Sequence, residues 1–178
     1  MAVAKRNHDA RAPRPPLDSE RLRAIAIRYV ERYQTTRQRL RRLLQQKLRQ
    51  RGWAEGQAAP DLDALVSRLA ELGYVNDEAF AEARARSLSR RGFGRARIAA
   101  DLLAAGIDAD TRQKLLEEAD PLQAALDFAR RKRFGPFGPP LADPKQRNRQ
   151  LAAFARAGHP ERLALRILGA ETVEELTS

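Results

Sequence analysis

The sequence contains no cysteine, which excludes disulfides, thiolate zinc sites and a cysteine nucleophile. Histidine is scarce too, with only His8 and His159. A lone histidine beside Pro160 at a helix start reads as structural or exposed, not as a general base. No Walker A pattern occurs, because Gly92-Phe93-Gly94-Arg95 lacks the Gly-Lys-Ser/Thr ending that holds phosphate and magnesium. The acid pairs Asp61/Asp63, Asp108/Asp110 and Glu117/Glu118 are helix-start acids or solvated faces without the ligand spacing of a metal site. Neither an enzyme nor a cofactor is expected. No apolar run approaches the ~20 residues of a membrane span, and no N-terminal apolar stretch marks a signal peptide. A cytoplasmic protein is expected.

Acid is missing locally as well. From Arg32 to Ala54 the chain runs without Asp or Glu while carrying Arg32, Arg37, Arg39, Arg41, Arg42, Lys47, Arg49 and Arg51. Like charges that close on a helix destabilise it by about 0.2–0.5 kcal/mol per pair, so an anionic partner is the natural account of their presence. A second acid-free run, Ala83 to Ala100, holds Arg84, Arg86, Arg90, Arg91, Arg95 and Arg97. A third, Phe128 to Ala142, holds Arg130, Arg131, Lys132 and Arg133; Lys145, Arg147, Arg149 and Arg156 follow Asp143. Acidic blocks separate the runs, at Asp61 to Glu78, Asp108 to Asp120, and from Glu161 onward. The net charge is +11 over 178 residues.

Gly52, Gly106 and Gly158 recur at intervals of about 50 residues, each with an apolar residue four positions earlier (Leu48, Leu102, Phe154) and an Arg-x-Arg upstream (Arg37/Arg39, Arg95/Arg97, Arg147/Arg149). Glycine there suits the left-handed residue that ends a helix. The periodicity inside each unit is helical: Leu40, Leu43, Leu44 and Leu48 form one stripe and Leu62, Leu65, Val66, Leu69 and Leu72 another. Asp120-Pro121 and Asp143-Pro144 place a capping acid before proline at the first helical position, while Asn76/Asp77 and Asp108 cap two further helices. Phe134 to Pro140 is too rich in Pro and Gly for helix and is expected as a loop.

These signals predict an all-α chain of three tandem three-helix repeats, over residues 18–75, 76–119 and 120–170, in an elongated, curved array. Units of this size are marginal alone and stack to share apolar surface. Residues 1–17 are expected to be a disordered basic tail, either a functionless leader or an electrostatic tether, and residues 171–178 an acidic tail.

Thr36-Arg37-Gln38-Arg39-Leu40, the stretch Leu72-Gly73-Tyr74-Val75-Asn76-Asp77-Glu78-Ala79-Phe80-Ala81, then Arg91-Gly92-Phe93-Gly94-Arg95-Ala96-Arg97-Ile98, and finally Asp143-Pro144-Lys145 with Phe154-Ala155-Arg156-Ala157-Gly158 resemble the RecX family in order and spacing. The central pair of motifs is the specific part. The resemblance implies three tandem three-helix repeats and a modulator of the RecA recombinase that binds the RecA filament on single-stranded DNA. It implies inhibition of filament extension, ATPase, strand exchange and coprotease activity. Three departures stand out: Arg39 occupies the place of a capping-box glutamate, the stretch from Leu44 to Gly52 is about one helical turn longer than in typical members, and His159 stands where an aromatic usually follows the glycine.

The residues expected to contact filament or DNA are Arg37, Arg39, Arg41, Arg42 and Arg49 of the first unit; Arg84, Arg90, Arg91, Arg95 and Arg97 of the second; and Arg130, Arg131, Lys132, Arg133, Lys145, Arg147 and Arg149 of the third. Arg90, Arg91, Arg95 and Arg97 flank one glycine turn and are expected to act together. Phe93 is expected to pack inward, as are Tyr29, Tyr33, Trp53, Tyr74 and Phe80. The acids around Asp61, Asp63, Glu71, Asp77 and Glu78 read as caps and solvated faces or as contacts to a basic protein surface. Expected partners are the RecA filament and single-stranded DNA, with duplex DNA as an alternative, and the protein is expected to be a monomer. The competing class is a free-standing helical-repeat nucleic-acid-binding protein without a RecA target; a third is a helical scaffold with no dependence on nucleic acid.

Overall fold

Side-chain caps set most of the helix starts. Asp18, Thr36, Asp61, Asn76, Asp108, Asp120 and Asp143 each accept a hydrogen bond from a backbone N–H in the first turn that follows. These N–H groups have no intrahelical partner, so the caps stabilise each start. The computed structural model describes residues 15–140 and 143–177. Helices α1 (Ser19–Arg32), α2 (Arg37–Arg51) and α3 (Leu62–Glu71) form the first repeat. The second comprises α4 (Asp77–Arg90), α5 (Arg95–Ala105) and α6 (Ala109–Glu117), and the third α7 (Pro121–Lys132), α8 (Pro144–Ala157) and α9 (Glu161–Gly169). A one-turn α10 (Glu174–Thr177) follows. The fold is all-α, with no strand among the described residues.

Each repeat closes over its own core: Leu22, Leu40, Leu44 and Val66 in the first, Ala81, Leu88, Ile98 and Leu102 in the second, and Leu126, Phe154, Ala164 and Ile167 in the third. The proline-rich connection holds a 3-10 turn over Gly135–Phe137, and Phe134 and Phe137 pack against the third core.

The repeats are joined by one device used twice. At the first junction the start of α2 meets the end of α5, where buried Thr36 donates its hydroxyl to the Ala105 carbonyl at 2.5 Å. At the second the start of α5 meets the end of α8: Gly94 N–H donates to the Ala157 carbonyl at 2.8 Å and Ala96 N–H to that of Gly158 at 3.3 Å. The donors at one helix start, a cap hydroxyl at the first junction and backbone N–H groups at the second, thus meet the terminal carbonyls of the next helix, with the positive end of one dipole at the negative end of the other. The three middle helices run head to tail.

Each segment expected as a tail supplies a residue to a core. Leu17 is fully buried in the first core; its N–H donates to Gly52 and its carbonyl accepts from Ala54, while Arg51 holds the Pro15 carbonyl. Lys5, Arg6, Arg11 and Arg14 lie outside the described residues. At the other end Leu176 is buried in the third core and its carbonyl accepts from Arg166 at 2.7 Å. Low overall hydropathy in these segments hid one anchoring leucine in each.

Candidate nucleic-acid interface

Arginine does two jobs in this molecule. Some of the cations that the sequence marks for a ligand are instead engaged inside the chain, across a junction or within a repeat. Arg42 donates to the Ala104 carbonyl across the first junction, at 3.1 Å, and Arg39 lies over the Phe80 ring at 4.9 Å. Arg95 donates to the Ala119 carbonyl at 2.5 Å, Arg131 to the Arg90 carbonyl across the second junction, and Arg130 lies over Phe137. Arg84 is held by both oxygens of Asp101, at 2.6 and 2.7 Å. That pairing keeps the Asp101 carboxyl below its ordinary range, chiefly through the Arg84 hydrogen bond and against partial burial, with Arg39 and Arg97 adding attraction. The Arg84 guanidinium is correspondingly raised. Its fork is occupied from within, which removes the reason for assigning it to a ligand.

The polar face of α2 is acid-free in sequence but not in space. Asp63 of α3 pairs with Arg41 at 2.8 Å. Asp77, the first residue of α4, accepts from the Arg37 N–H at 2.9 Å, so a carboxylate from the next repeat supports the helix start where Arg39 replaces the expected glutamate. Asp61 caps α3 and Glu71 pairs with Arg68. These acids are therefore accounted for inside the chain.

The four arginines around Gly92-Phe93-Gly94 do not converge. Arg91 lines a cleft at the second junction with Phe93, Phe128, Arg131, Lys132 and Arg156. Arg90 lines a different cleft of about 660 Å³, rich in acid from Glu82, Glu118, Asp120 and Asp127. Arg95 turns toward α6, and Arg97 packs its backbone where Gly158 leaves no room for a side chain. Two glycines in this turn are required by geometry. Gly92 has φ +73°, and a Cβ on Gly94 would lie 2.2 Å from the Gly158 carbonyl oxygen.

Other expected contacts remain open. Arg49, Lys132, Arg133, Lys145, Arg147 and Arg149 are exposed, with no acidic partner among the described residues; Arg37 is exposed as well. Several of them, Arg37, Arg49, Lys145, Arg147 and Arg149, sit on α2 and α8, the outer members of the head-to-tail column.

Among the aromatics, Trp53 packs against the first core and donates its indole N–H to Ala58. Tyr33 and Tyr74 are about half exposed, contrary to the expected core placement, because each lies just beyond a helix end. His159 is buried between Phe128 and Phe154, with ring centroids 5.4 and 5.7 Å away, and its Nε2 lies 2.9 Å from the Gly92 carbonyl. It fills an aromatic's place while adding a bond between repeats. Burial lowers its pKa, partly opposed by the Gly92 bond.

A regulatory protein RecX of Myxococcus xanthus is 34% identical over 156 residues, covering 83% of each chain. The chain belongs to the RecX family. Another regulatory protein RecX, of Streptomyces coelicolor, is 34% identical and covers 92% of this chain and 82% of its own; that of Halorhodospira halophila is 36% identical over 79% and 81%. The family model for the second three-helix domain of RecX matches residues 76–116, which span α4 to α6. A crystal structure of regulatory protein RecX superposes with a TM-score of 0.60 at 16% identity, over 85% of this chain and 77% of that one, and supports the fold. RecX proteins are regulatory, and no helix here is long and apolar enough to cross a membrane among the described residues.

Proposed function

We propose that this protein is a negative modulator of the RecA recombinase, binding RecA filaments on single-stranded DNA and restraining filament extension, ATPase, strand exchange and coprotease activity. The observation that carries the proposal beyond family membership is the head-to-tail column of α2, α5 and α8. Exposed cations on its outer members belong to one continuous body and not to three separate helices. An extended row of cations matches an extended polyanion, and a strand loses condensed counterions when they bind. The residues proposed to meet the filament or its DNA are Arg37, Arg49, Arg91, Lys132, Arg133, Lys145, Arg147 and Arg149. The protein acts as a cytoplasmic monomer without enzymatic activity of its own.

The test is RecA ATPase on single-stranded DNA titrated with the protein, beside a binding curve for naked strands. Inhibition is expected at protein concentrations below those that saturate naked DNA. Substituting Arg147 and Arg149 together with alanine should weaken inhibition about tenfold or more, since a well-formed charged hydrogen bond contributes about 1.5–3 kcal/mol, while the thermal melt stays near parental because exposed arginines contribute little to folding. Tight binding of naked DNA with no effect on RecA would instead establish a free-standing nucleic-acid-binding protein.

A further inference from the structure

The two clefts at the second junction differ in charge. One carries acid from α4, from α7 and from the segment between α6 and α7. The other has no acid: Phe93, Phe128, Ala153 and Ala157 form its apolar lining, and Arg91, Arg131, Lys132 and Arg156 are its cations. Its volume of about 390 Å³ lies within the range of small-ligand pockets. Phe93 is only half-buried, and the Arg91 guanidinium stands 5.1 Å from its ring centre. The Arg91 guanidinium, held over the Phe93 ring, offers its outer face as stacking surface for a flat heterocycle. The four cations come from three segments, the α4–α5 turn, α7 and α8, so the cleft exists only where repeats two and three are docked.

We propose that this cleft is a nucleotide site that takes one unpaired nucleotide of a single DNA strand, with its base against the Arg91–Phe93 stack and its flanking phosphates on Lys132 and Arg156. Cations alone would suit any polyanion, and an apolar floor alone any hydrophobic group. Their combination without a carboxylate selects a ligand that is both flat and apolar at one end and multiply anionic at the other. A base paired in a duplex has no free face to offer, so the site distinguishes single from double strands. The site rests on the proposed contact with single-stranded DNA but adds a base-dependent component that a purely electrostatic track lacks.

The test compares a labelled sixteen-residue oligothymidylate with a sixteen-residue abasic strand of the same charge, by fluorescence anisotropy with the full chain. The parent is expected to bind the thymidine strand about tenfold more tightly, in keeping with the stacking of one base. Ala153→Leu, which fills the cleft and keeps every cation, should bring the two affinities together. Phe93→Ala should do the same, and circular dichroism establishes that each variant is folded. Equal affinities for the two strands in the parent would overturn the nucleotide site while leaving the electrostatic interface standing; failure to bind either strand would remove both. Thymidine monophosphate should not displace the strand at equal phosphate concentration, and displacement by the free nucleotide would assign the cleft to a soluble ligand instead.

Discussion

His159 shows how one side chain is fixed by its surroundings. Its Nε2 lies against a carbonyl, which can only accept, so the ring is the neutral Nε2–H tautomer, and the Nδ1 lone pair is buried without a partner. Protonation would add a charge and an unsatisfied N–H between two phenyl rings. Because the folded pKa lies below the unfolded value of about 6.5, the unfolded chain binds the extra proton first and stability falls as pH drops below that value, then levels off once the folded form also titrates. Thermal melts from pH 7.5 to 5.0 should show this loss, and His159→Phe should flatten it. The same variant should lose about 1–3 kcal/mol at pH 7, because the Gly92 carbonyl is left unpaired. A pH dependence unchanged by the substitution would show that another group titrates. The sequence made His159 visible as a departure from an aromatic position. It did not reveal the bond to Gly92, which lies 67 residues away and depends on how two repeats dock.

At the scale of elements, helix starts and stops were legible because their causes are local. Asp120-Pro121 and Asp143-Pro144 act as caps, and Gly106 and Gly158 end α5 and α8 in the left-handed region. The candidate site was less so. Charge density along the chain identified the cations, but their division into ligand-facing and internally engaged groups depends on partners distant in sequence, such as Asp101, Ala104 and Ala119. The junction itself can be probed through glycine. Gly94 has an ordinary extended φ of −78°, so a side chain there carries no backbone strain, yet its Cβ would lie 2.2 Å from the Gly158 oxygen. Backbone against backbone cannot be relieved by a rotamer change. Gly94→Ala is therefore expected to destabilise by at least about 3 kcal/mol, the upper part of the overpacking range, and to separate repeats two and three. Gly169→Ala is the control: it closes α9 with open space around it, and alanine there should stabilise by about 0.4–1 kcal/mol. Chemical denaturation of the two variants reads both signs.

For the whole molecule, three small cores joined at two junctions behave as a short one-dimensional array, in which each repeat is stabilised by itself and its neighbours. Leu17 and Leu176 seal opposite ends of that array, each almost fully buried and each drawn from a segment that looks like a polar tail. Truncating either to alanine removes apolar surface and leaves a cavity, a loss of about 2–5 kcal/mol. In a globule with one core that loss would be felt everywhere. Here it should stay near its own end, because the first and third cores share no buried residue. Hydrogen exchange measured by mass spectrometry should show Leu17→Ala losing protection in α1, α2 and α3 while α7, α8 and α9 keep theirs, with Leu176→Ala giving the reverse. If either variant lost protection uniformly along the chain, the repeats would fold as one cooperative unit, and the junction bonds of Thr36, Gly94 and His159 would have to be stronger than the cores they connect.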